Sequence, residues 1–130
     1  MADTSQDRVL TRRAAELFVD PLAAGALIPM GGMYVLDAEG NATPATPDVA
    51  GPVRGIALRR ADAAAGDVQV EGAQGCYLFE NDGSITAGDI FAKDARVVDC
   101  HTVGITGTRT AGRIFDVTEE GVFVEIGKRT

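Results

Sequence analysis

The sequence predicts an all-β (mainly β) protein: a small compact β-barrel or sandwich of short strands with an extended N-terminal arm. Short apolar runs recur at intervals of about 8–12 residues, and Gly, Pro, Asn and Asp separate them, which is typical of small all-β folds. Gly and Pro account for 16 and 5 of the 130 residues. The sequence has no stretch with the apolar i, i+3, i+4, i+7 spacing of a long amphipathic helix.

The individual strand predictions follow from apolar runs that end at turn residues. Residues 68–71 alternate apolar and polar side chains, as a half-buried strand does. Residues 37–41 have the composition of a hairpin turn, and Pro52 precedes a run at a position where strands tolerate proline. The predicted strands are 17–19, 26–28, 33–36, 53–58, 68–71, 75–80, 95–98, 102–103, 113–117 and 121–126.

Two Ala-Gly-Asp triplets, at 65–67 and 87–89, predict turns that lead into strands at Val68 and Ile90. The alanine-rich stretch 61–65 predicts one helical turn, which Gly66 ends.

The chain divides near residue 17. Residues 1–16 are polar and carry three acids and three arginines, Arg8, Arg12 and Arg13, so that their net charge is zero. We expect residues 1–16 to form an arm that is weakly structured until a partner binds it, and residues 17–130 to form a single β domain. Its core is modest because 20 of the hydrophobic residues are Ala, so an oligomer would bury more surface than a monomer.

The net charge of −7 limits the function classes. Residues 61–125 contain four basic and twelve acidic side chains, whereas binding to a nucleic acid backbone requires clustered Lys and Arg. We therefore expect no nucleic acid partner. A membrane partner is not expected either, because no run of about 20 apolar residues occurs. The N-terminus lacks the apolar region of a signal peptide, so we expect synthesis in a cytoplasm, with Cys76 and Cys100 as free thiols.

Candidate catalytic and metal-binding residues are few. The single histidine, His101, follows Cys100, but neighbours on a strand point to opposite faces, so a Cys–His pair would need Cys76 from another strand. An exposed turn histidine is the favoured interpretation. These three soft ligands are one fewer than structural zinc requires. The acidic turns 37–41 and 80–83 lack the spacing of an EF-hand, which leaves weak adventitious calcium binding as an alternative to plain turns. We expect no enzyme activity and no cofactor.

The order of motifs resembles a family of capsid decoration (head-stabilisation) proteins of Mu-like tailed bacteriophages and prophages. The matching pieces occur in sequence order and span most of the chain, from residue 7 to residue 126. They are 7–9 (DRV) with 11–13 (TRR), 24–27 (AGAL) leading to 34–42 (YVLDAEGNA), 53–57 (VRGIA), 64–68 (AAGDV), 75–81 (GCYLFEN), 85–90 (ITAGDI), 97–103 (VVDCHTV), 107–112 (GTRTAG), and 115–117 (FDV) with 121–124 (GVFV). Departures include Phe123 where the family often has Trp and Cys100 in place of an acid, and residues 43–50 look like a variable loop.

The resemblance implies a compact β protein that binds the major capsid protein on the exterior of the assembled capsid, as a homotrimer at three-fold or quasi-three-fold axes. The protein would be made in the host cytoplasm and would end in the virion. Its arm would lie along the shell, with Arg8, Arg12 and Arg13 as charged contacts and Leu17, Phe18 and Val19 as apolar ones.

Other functions stay open at the level of sequence. Another head-associated structural protein, such as a head spike, a fibre base or a head–tail joining protein, ranks second. A small enzyme or a small-ligand-binding β-barrel ranks behind it, because it would need a cluster of polar residues inside a pocket and the sequence offers no convergent motif.

Overall fold

The computed structural model describes residues 17–48 and 51–127. These residues form short strands and two single turns of 3-10 helix, η1 (Ala63–Ala65) and η2 (Ala87–Asp89). The strands are β1 (Leu17–Pro21), β2 (Leu27–Ile28), β3 (Met33–Leu36), β4 (Ala42–Pro44), β5 (Gly51–Pro52), β6 (Gly55–Ala57), β7 (Ala61–Asp62), β8 (Gln69–Ala73), β9 (Gly75–Asn81), β10 (Asp94–Asp99), β11 (Thr102–Gly104), β12 (Arg109–Thr118) and β13 (Gly121–Ile126). The prediction of an all-β barrel is confirmed.

The C-terminal half closes into a five-stranded barrel. Its strand order is β10-β11-β9-β13-β12, and β12 pairs again with β10, which completes the circle. Most neighbours are antiparallel, but β9 and β11 run parallel. Closure leaves β9, β12 and β13 with one face toward the barrel interior and one toward the outside, because side chains alternate along each strand.

A second sheet has the order β1-β8-β6-β3-β4. A bridge between Leu22 and Ala42 joins its two ends just beyond β1. Strand β8 leads directly through Gln74 into β9, so one stretch of chain passes from this sheet into the barrel. Gly75 has a φ of +151° at this crossing, a conformation that side chains rarely adopt.

The interior contains two hydrophobic clusters. The larger one fills the barrel and extends to the neighbouring faces of β3, β6 and β8. The smaller one lies on the opposite face of the second sheet and consists of Phe18, Ile28, Tyr34, Ala42, Ala57, Ala61 and Val70. The second sheet is therefore covered on both faces, and β1 contributes to the smaller cluster through Phe18.

The structure corrects three local predictions. Residues 42–44 form a strand that pairs with β3, although 43–50 was expected to be a loop. Ile90 and Phe91 do not begin a strand, because Phe91 has a left-handed φ of +58° that no strand accommodates. Strand β6 begins at Gly55 rather than at Val53. The helical turn expected at 61–65 is confirmed as η1, and Gly66 ends it with a φ of +96°.

Candidate functional site

Strand β1 is where the described chain begins, immediately after the predicted arm. Its exposure alternates strictly from residue to residue. Leu17 and Val19 are 62% and 52% exposed, whereas Phe18 and Asp20 lie on the opposite face of the strand and are buried. The root of the arm therefore presents two apolar side chains outward and uses the two between them for attachment.

A buried ionic network attaches β1 to the rest of the sheet. Arg54 donates two hydrogen bonds to the Asp20 carboxylate, from Nε to Oδ2 at 3.0 Å and from Nη2 to Oδ1 at 3.1 Å. The Tyr34 hydroxyl donates to the same Oδ2 at 2.7 Å. The Arg54 guanidinium also lies 4.1 Å from the centre of the Phe18 ring. Asp20 thus has both carboxylate oxygens paired, which is what a buried charge requires.

The network changes the acidity of its members. Burial raises the pKa of the Tyr34 hydroxyl well above its usual value, and its hydrogen bond to Asp20 adds to this shift. The hydrogen bonds that Arg54 makes to Asp20 raise the pKa of its guanidinium. Both shifts favour the protonated form, in which Tyr34 and Arg54 are hydrogen-bond donors.

Glycine makes room for this arrangement. A Cβ atom at Gly72 would overlap the Tyr34 hydroxyl and would lie 2.6 Å from the Phe18 ring. A Cβ atom at Gly55 would lie 2.9 Å from Phe18 Cζ and 2.7 Å from the Ala73 carbonyl oxygen. Because β8 and β6 have glycine at these two positions, the side chains of Phe18 and Tyr34 can approach the backbone of the sheet closely.

The structure separates the six residues expected to contact the capsid. Arg8, Arg12 and Arg13 lie outside the described residues. Leu17 and Val19 are exposed on one face of β1, as a contact requires. Phe18 is only 8% exposed and belongs to the smaller cluster, so its ring is not available to a partner. The reason is the two-residue period of a strand, which cannot turn three consecutive side chains to one side.

Sequence reasoning missed Asp20, Tyr34 and Arg54 as a functional unit. Asp20 looked like the residue that stops β1, and Tyr34 like an ordinary member of an apolar strand. Arg54 lies 34 residues from Asp20 in the chain. The one local signal was the period of β1, which places Asp20 on the same face as Phe18 and so demands a buried partner.

The cysteines and the histidine do not come together as a nucleophilic site. Cys76 and Cys100 are both free, and His101 is exposed in the turn between β10 and β11, as expected. Burial is the main cause that raises the pKa of both thiols, which favours the unreactive protonated form. Among the described residues, no group of three or more His, Cys, Asp or Glu side chains could hold a metal ion.

The acidic turns are hydrogen-bonded turns. Asp37 Oδ1 accepts from the backbone N–H groups of Glu39 and Asn41, both at 2.9 Å. Asp82 Oδ1 accepts from the backbone N–H of Ser84, also at 2.9 Å. These carboxylate oxygens accept hydrogen bonds from backbone N–H groups of their own turns, as is common for Asx turns.

The described surface has shallow grooves. One groove of about 310 Å³ is lined by Gly31, Leu78, Phe79, Glu80, His101 and Glu120. Another of about 210 Å³ lies beside Arg54 and Gln74. Both are at or below the small end of the range of roughly 300–1,000 Å³ that is usual for ligand pockets, and the barrel interior is filled by side chains.

No family model, no curated protein and no solved structure matches this chain. The part of the chain that the structure describes also lacks any helix of sufficient length and apolar character to cross a membrane.

Proposed function

We propose that this chain is a structural virion protein that binds the exterior of an assembled phage capsid and stabilises it. It acts as a trimer at three-fold or quasi-three-fold axes, with the major capsid protein as its partner and without enzymatic activity. It is made in the host cytoplasm and ends on the capsid surface. The order of the motifs from residue 7 to residue 126 is the starting point of this proposal.

The structural observation that carries the proposal is the outward face of β1. Two exposed apolar side chains, Leu17 and Val19, directly follow a segment that contains Arg8, Arg12 and Arg13. An apolar pair that follows a segment with three arginines suits a partner that offers a groove or a sheet edge. The Asp20 network holds the strand in place, so tension on the arm is passed to the body of the protein.

The acidic body supports an exterior position. The described residues contain seven basic and sixteen acidic side chains, a net charge of −9. A surface of this sign is repelled by packaged nucleic acid, whereas residues 1–16 carry three arginines and have a net charge of zero.

The test is to mix the full-length protein with undecorated capsids of the cognate phage and to measure the copies bound per capsid subunit after sedimentation. About one copy per subunit is expected for a trimer at every three-fold position. The Leu17→Asn, Val19→Asn variant and the Arg8→Glu, Arg12→Glu, Arg13→Glu variant should lose binding.

Leu36→Asn is the matched control, because Leu36 is an exposed leucine on β3 of the same sheet. It should bind as the unaltered protein does. If the Leu17/Val19 variant and the triple arginine variant both bind capsids undiminished, with their folds intact by circular dichroism, the proposed contact is refuted. Binding confined to capsid vertices would instead indicate a head spike.

A further inference from the structure

The outer face of the barrel carries three of the five Phe residues of the chain. Phe123 of β13 lies opposite Leu78 of β9 on one side and opposite Asp116 of β12 on the other. Phe115 precedes Asp116 at a β-bulge, and Phe91 contacts Phe115 from the loop after η2. We call Leu78, Phe91, Phe115 and Phe123 the phenylalanine face.

The phenylalanine face is apolar and yet exposed. Phe91, Phe115 and Leu78 are 52%, 45% and 40% exposed, and Phe123 is partly buried. The ring centres of Phe91 and Phe115 lie 5.6 Å apart with an edge-to-face angle of 71°. Exposed apolar patches of this kind mark interaction sites.

Phe91 is fixed in place by β12. Its φ of +58° is the one left-handed value of a residue other than glycine within the described ranges. Its N–H donates to the Ile114 carbonyl at 2.9 Å, and the Arg113 guanidinium lies 4.7 Å from the centre of its ring. Such strain persists only where the surroundings enforce it, and it concentrates at binding sites. The ring is thus held at the surface before any partner binds.

One complete unit of carboxylate, guanidinium and phenylalanine ring is present at this face. Glu125 accepts two hydrogen bonds from Arg113, from Nη2 at 2.7 Å and from Nε at 3.1 Å, while the same guanidinium lies over Phe91. The same kind of unit fixes β1, where its members are Asp20, Arg54 and Phe18. This chain therefore uses arginine twice to join a carboxylate to a ring.

A further carboxylate on the face has a ring beside it but no arginine. Asp116 is exposed and pairs with Phe123 in antiparallel register, so both side chains lie on the same face of the sheet. Its Oδ1 accepts from the Val117 N–H at 2.9 Å, and no ion pair reaches it within the described residues. An arginine from elsewhere would complete a third unit, because a guanidinium binds carboxylate oxygens and also stacks on aromatic rings.

The charge at the border of the face also favours a cation. Glu80 and Glu120 are exposed and line the groove of about 310 Å³ together with Leu78. Neither glutamate forms an ion pair within residues 17–48 and 51–127. A segment that combines arginine with apolar side chains is therefore the complementary occupant.

The chain itself contains one segment of this chemistry. Residues 8–13 hold Arg8, Arg12 and Arg13 together with Val9 and Leu10, and they contain no acid, so their net charge is +3. No other stretch of six residues in the chain has three basic side chains.

The position of β1 brings this segment within reach. Leu17 lies opposite Ala73, and because β1 is antiparallel to β8, its N-terminal end points toward β9. Leu78 follows Ala73 by five residues, and Arg12 precedes Leu17 by five residues. An extended chain spans about 3.5 Å per residue, so both stretches cover roughly 17 Å.

We infer that residues 8–13 bind across the phenylalanine face of the same chain. An arginine of this segment lies between the Asp116 carboxylate and the Phe123 ring, and Val9 and Leu10 cover exposed apolar surface. Exposed ion pairs are weak, so this docking is reversible. The arm is also the proposed capsid contact, so a capsid competes with the face for it; this competition rests on the proposed function, whereas the docking does not.

The experiment is paramagnetic relaxation enhancement in the full-length, isotope-labelled protein. A nitroxide is attached at Thr11→Cys in a Cys76→Ser, Cys100→Ser background. We expect strong broadening of the backbone amides of Leu78, Asp116 and Phe123, and little at Glu39 in the turn between β3 and β4. The broadening should decrease as salt is added, because salt screens exposed charges.

Matched variants test the contact in the spin-labelled protein. Asp116→Asn removes the carboxylate, and the double substitution Arg12→Gln, Arg13→Gln removes two guanidinium groups. Each should lower the paramagnetic relaxation rate at the Phe123 amide by about twofold or more. Glu39→Gln removes the same charge from an exposed turn and should leave this rate unchanged.

Two results would overturn the inference. The first is the absence of broadening at the phenylalanine face, or broadening that both variants leave unchanged. The second comes from mixing spin-labelled protein that lacks the isotope with isotope-labelled protein that lacks the nitroxide. Broadening of equal strength in this mixture would assign the contact to the arm of a second copy.

The capsid experiment separates the competition from the docking. Asp116→Asn should bind capsids about twofold or more tightly, because a larger fraction of its arms is free. Unchanged capsid affinity in this variant would overturn the competition. Broadening in a protein that never binds capsids would support the docking and refute the proposed function, whereas capsid binding without broadening would do the reverse.

Discussion

Strand β1 and the outer face of the barrel around Phe91 are built on the same three-part unit, but they place it differently. In each, a carboxylate holds an arginine and the guanidinium lies over a phenylalanine ring: Asp20, Arg54 and Phe18 in one, Glu125, Arg113 and Phe91 in the other. At β1 the ring and the carboxylate are buried, so the unit fixes the backbone of a strand. At β12 the ring is exposed, so the unit fixes a surface.

The difference shows how burial changes the value of one kind of contact. The Asp20 carboxylate is 8% exposed and has further hydrogen-bonding demands that Tyr34 meets. The Glu125 carboxylate is 16% exposed, and its partner arginine is about as exposed as Arg54, at 37% against 35%, so the two units differ in the burial of the carboxylate and of the ring. The two regions should therefore respond very differently to equivalent mutations.

The largest expected effect on the free energy of unfolding comes from removing the buried Asp20 carboxylate. Asp20→Ala leaves the Tyr34 hydroxyl and the Arg54 guanidinium without their acceptor, and should lower the free energy of unfolding by about 3 kcal/mol. Glu125→Ala should lower it by about 1 kcal/mol or less. Urea unfolding followed by circular dichroism measures both values. Equal decreases in the free energy of unfolding would show that burial of the carboxylate does not distinguish the two units.

An effect of intermediate size is the pH dependence of the free energy of unfolding, to which Tyr34 in the Asp20 network contributes. The pKa of Tyr34 is raised in the folded state above its unfolded value of about 10. The stability that it contributes is therefore complete below pH 10 and declines as pH rises beyond it, with a limiting slope of about 1.4 kcal/mol per pH unit.

The pH measurement is urea unfolding between about pH 9 and 11 in a Cys76→Ser, Cys100→Ser background, because burial raises the pKa of both thiols as well. Tyr34→Phe should be less stable at neutral pH but should lose most of this decline. A decline of the same slope in Tyr34→Phe would assign the pH dependence to another group.

The smallest effect tests the backbone strain at Phe91, whose φ of +58° is left-handed. Phe91→Gly releases a left-handed conformation worth about 1–2 kcal/mol but loses the edge-to-face contact, worth about 0.5–1.5 kcal/mol. The free energy of unfolding should therefore change by about 1.5 kcal/mol or less. Phe115→Ala loses the same contact without relief of strain and should be the less stable of the two. A more stable Phe115→Ala in thermal unfolding would argue against strain at Phe91.

Local pattern was enough to predict some elements. The strands predicted at 33–36 and 121–126 occur with those bounds, because each is an apolar run next to a hairpin turn, which follows the first and precedes the second. The turn at 63–66 could also be predicted from the sequence, since Ala favours a helical turn and Gly ends it. Strand β4 was missed because Pro44 suggested a loop, although an edge position tolerates proline.

The candidate sites depended on information that local pattern does not contain. Pairing of Asp20 with Arg54 is decided by which strands become neighbours, and these residues are far apart in the chain. The run Leu17-Phe18-Val19 has no polar residue to mark which side is buried. Local pattern predicted that a strand begins at Ile90 and Phe91. That prediction failed because the conformation of Phe91 depends on contacts with Ile114 and Arg113 of β12, which are distant in the sequence.

The register of β1 has a mechanical consequence. All five residues of β1 pair with β8 in antiparallel register, from Leu17 opposite Ala73 to Pro21 opposite Gln69. Hydrogen bonds in such a ladder lie perpendicular to the strands, so a pull along β1 loads them together in shear rather than opening them one after another. The Asp20 network adds a side-chain lock at the far end of the same strand. A force applied to the arm would thus meet its greatest resistance where the chain enters the fold, and the load would continue through β8 into the barrel.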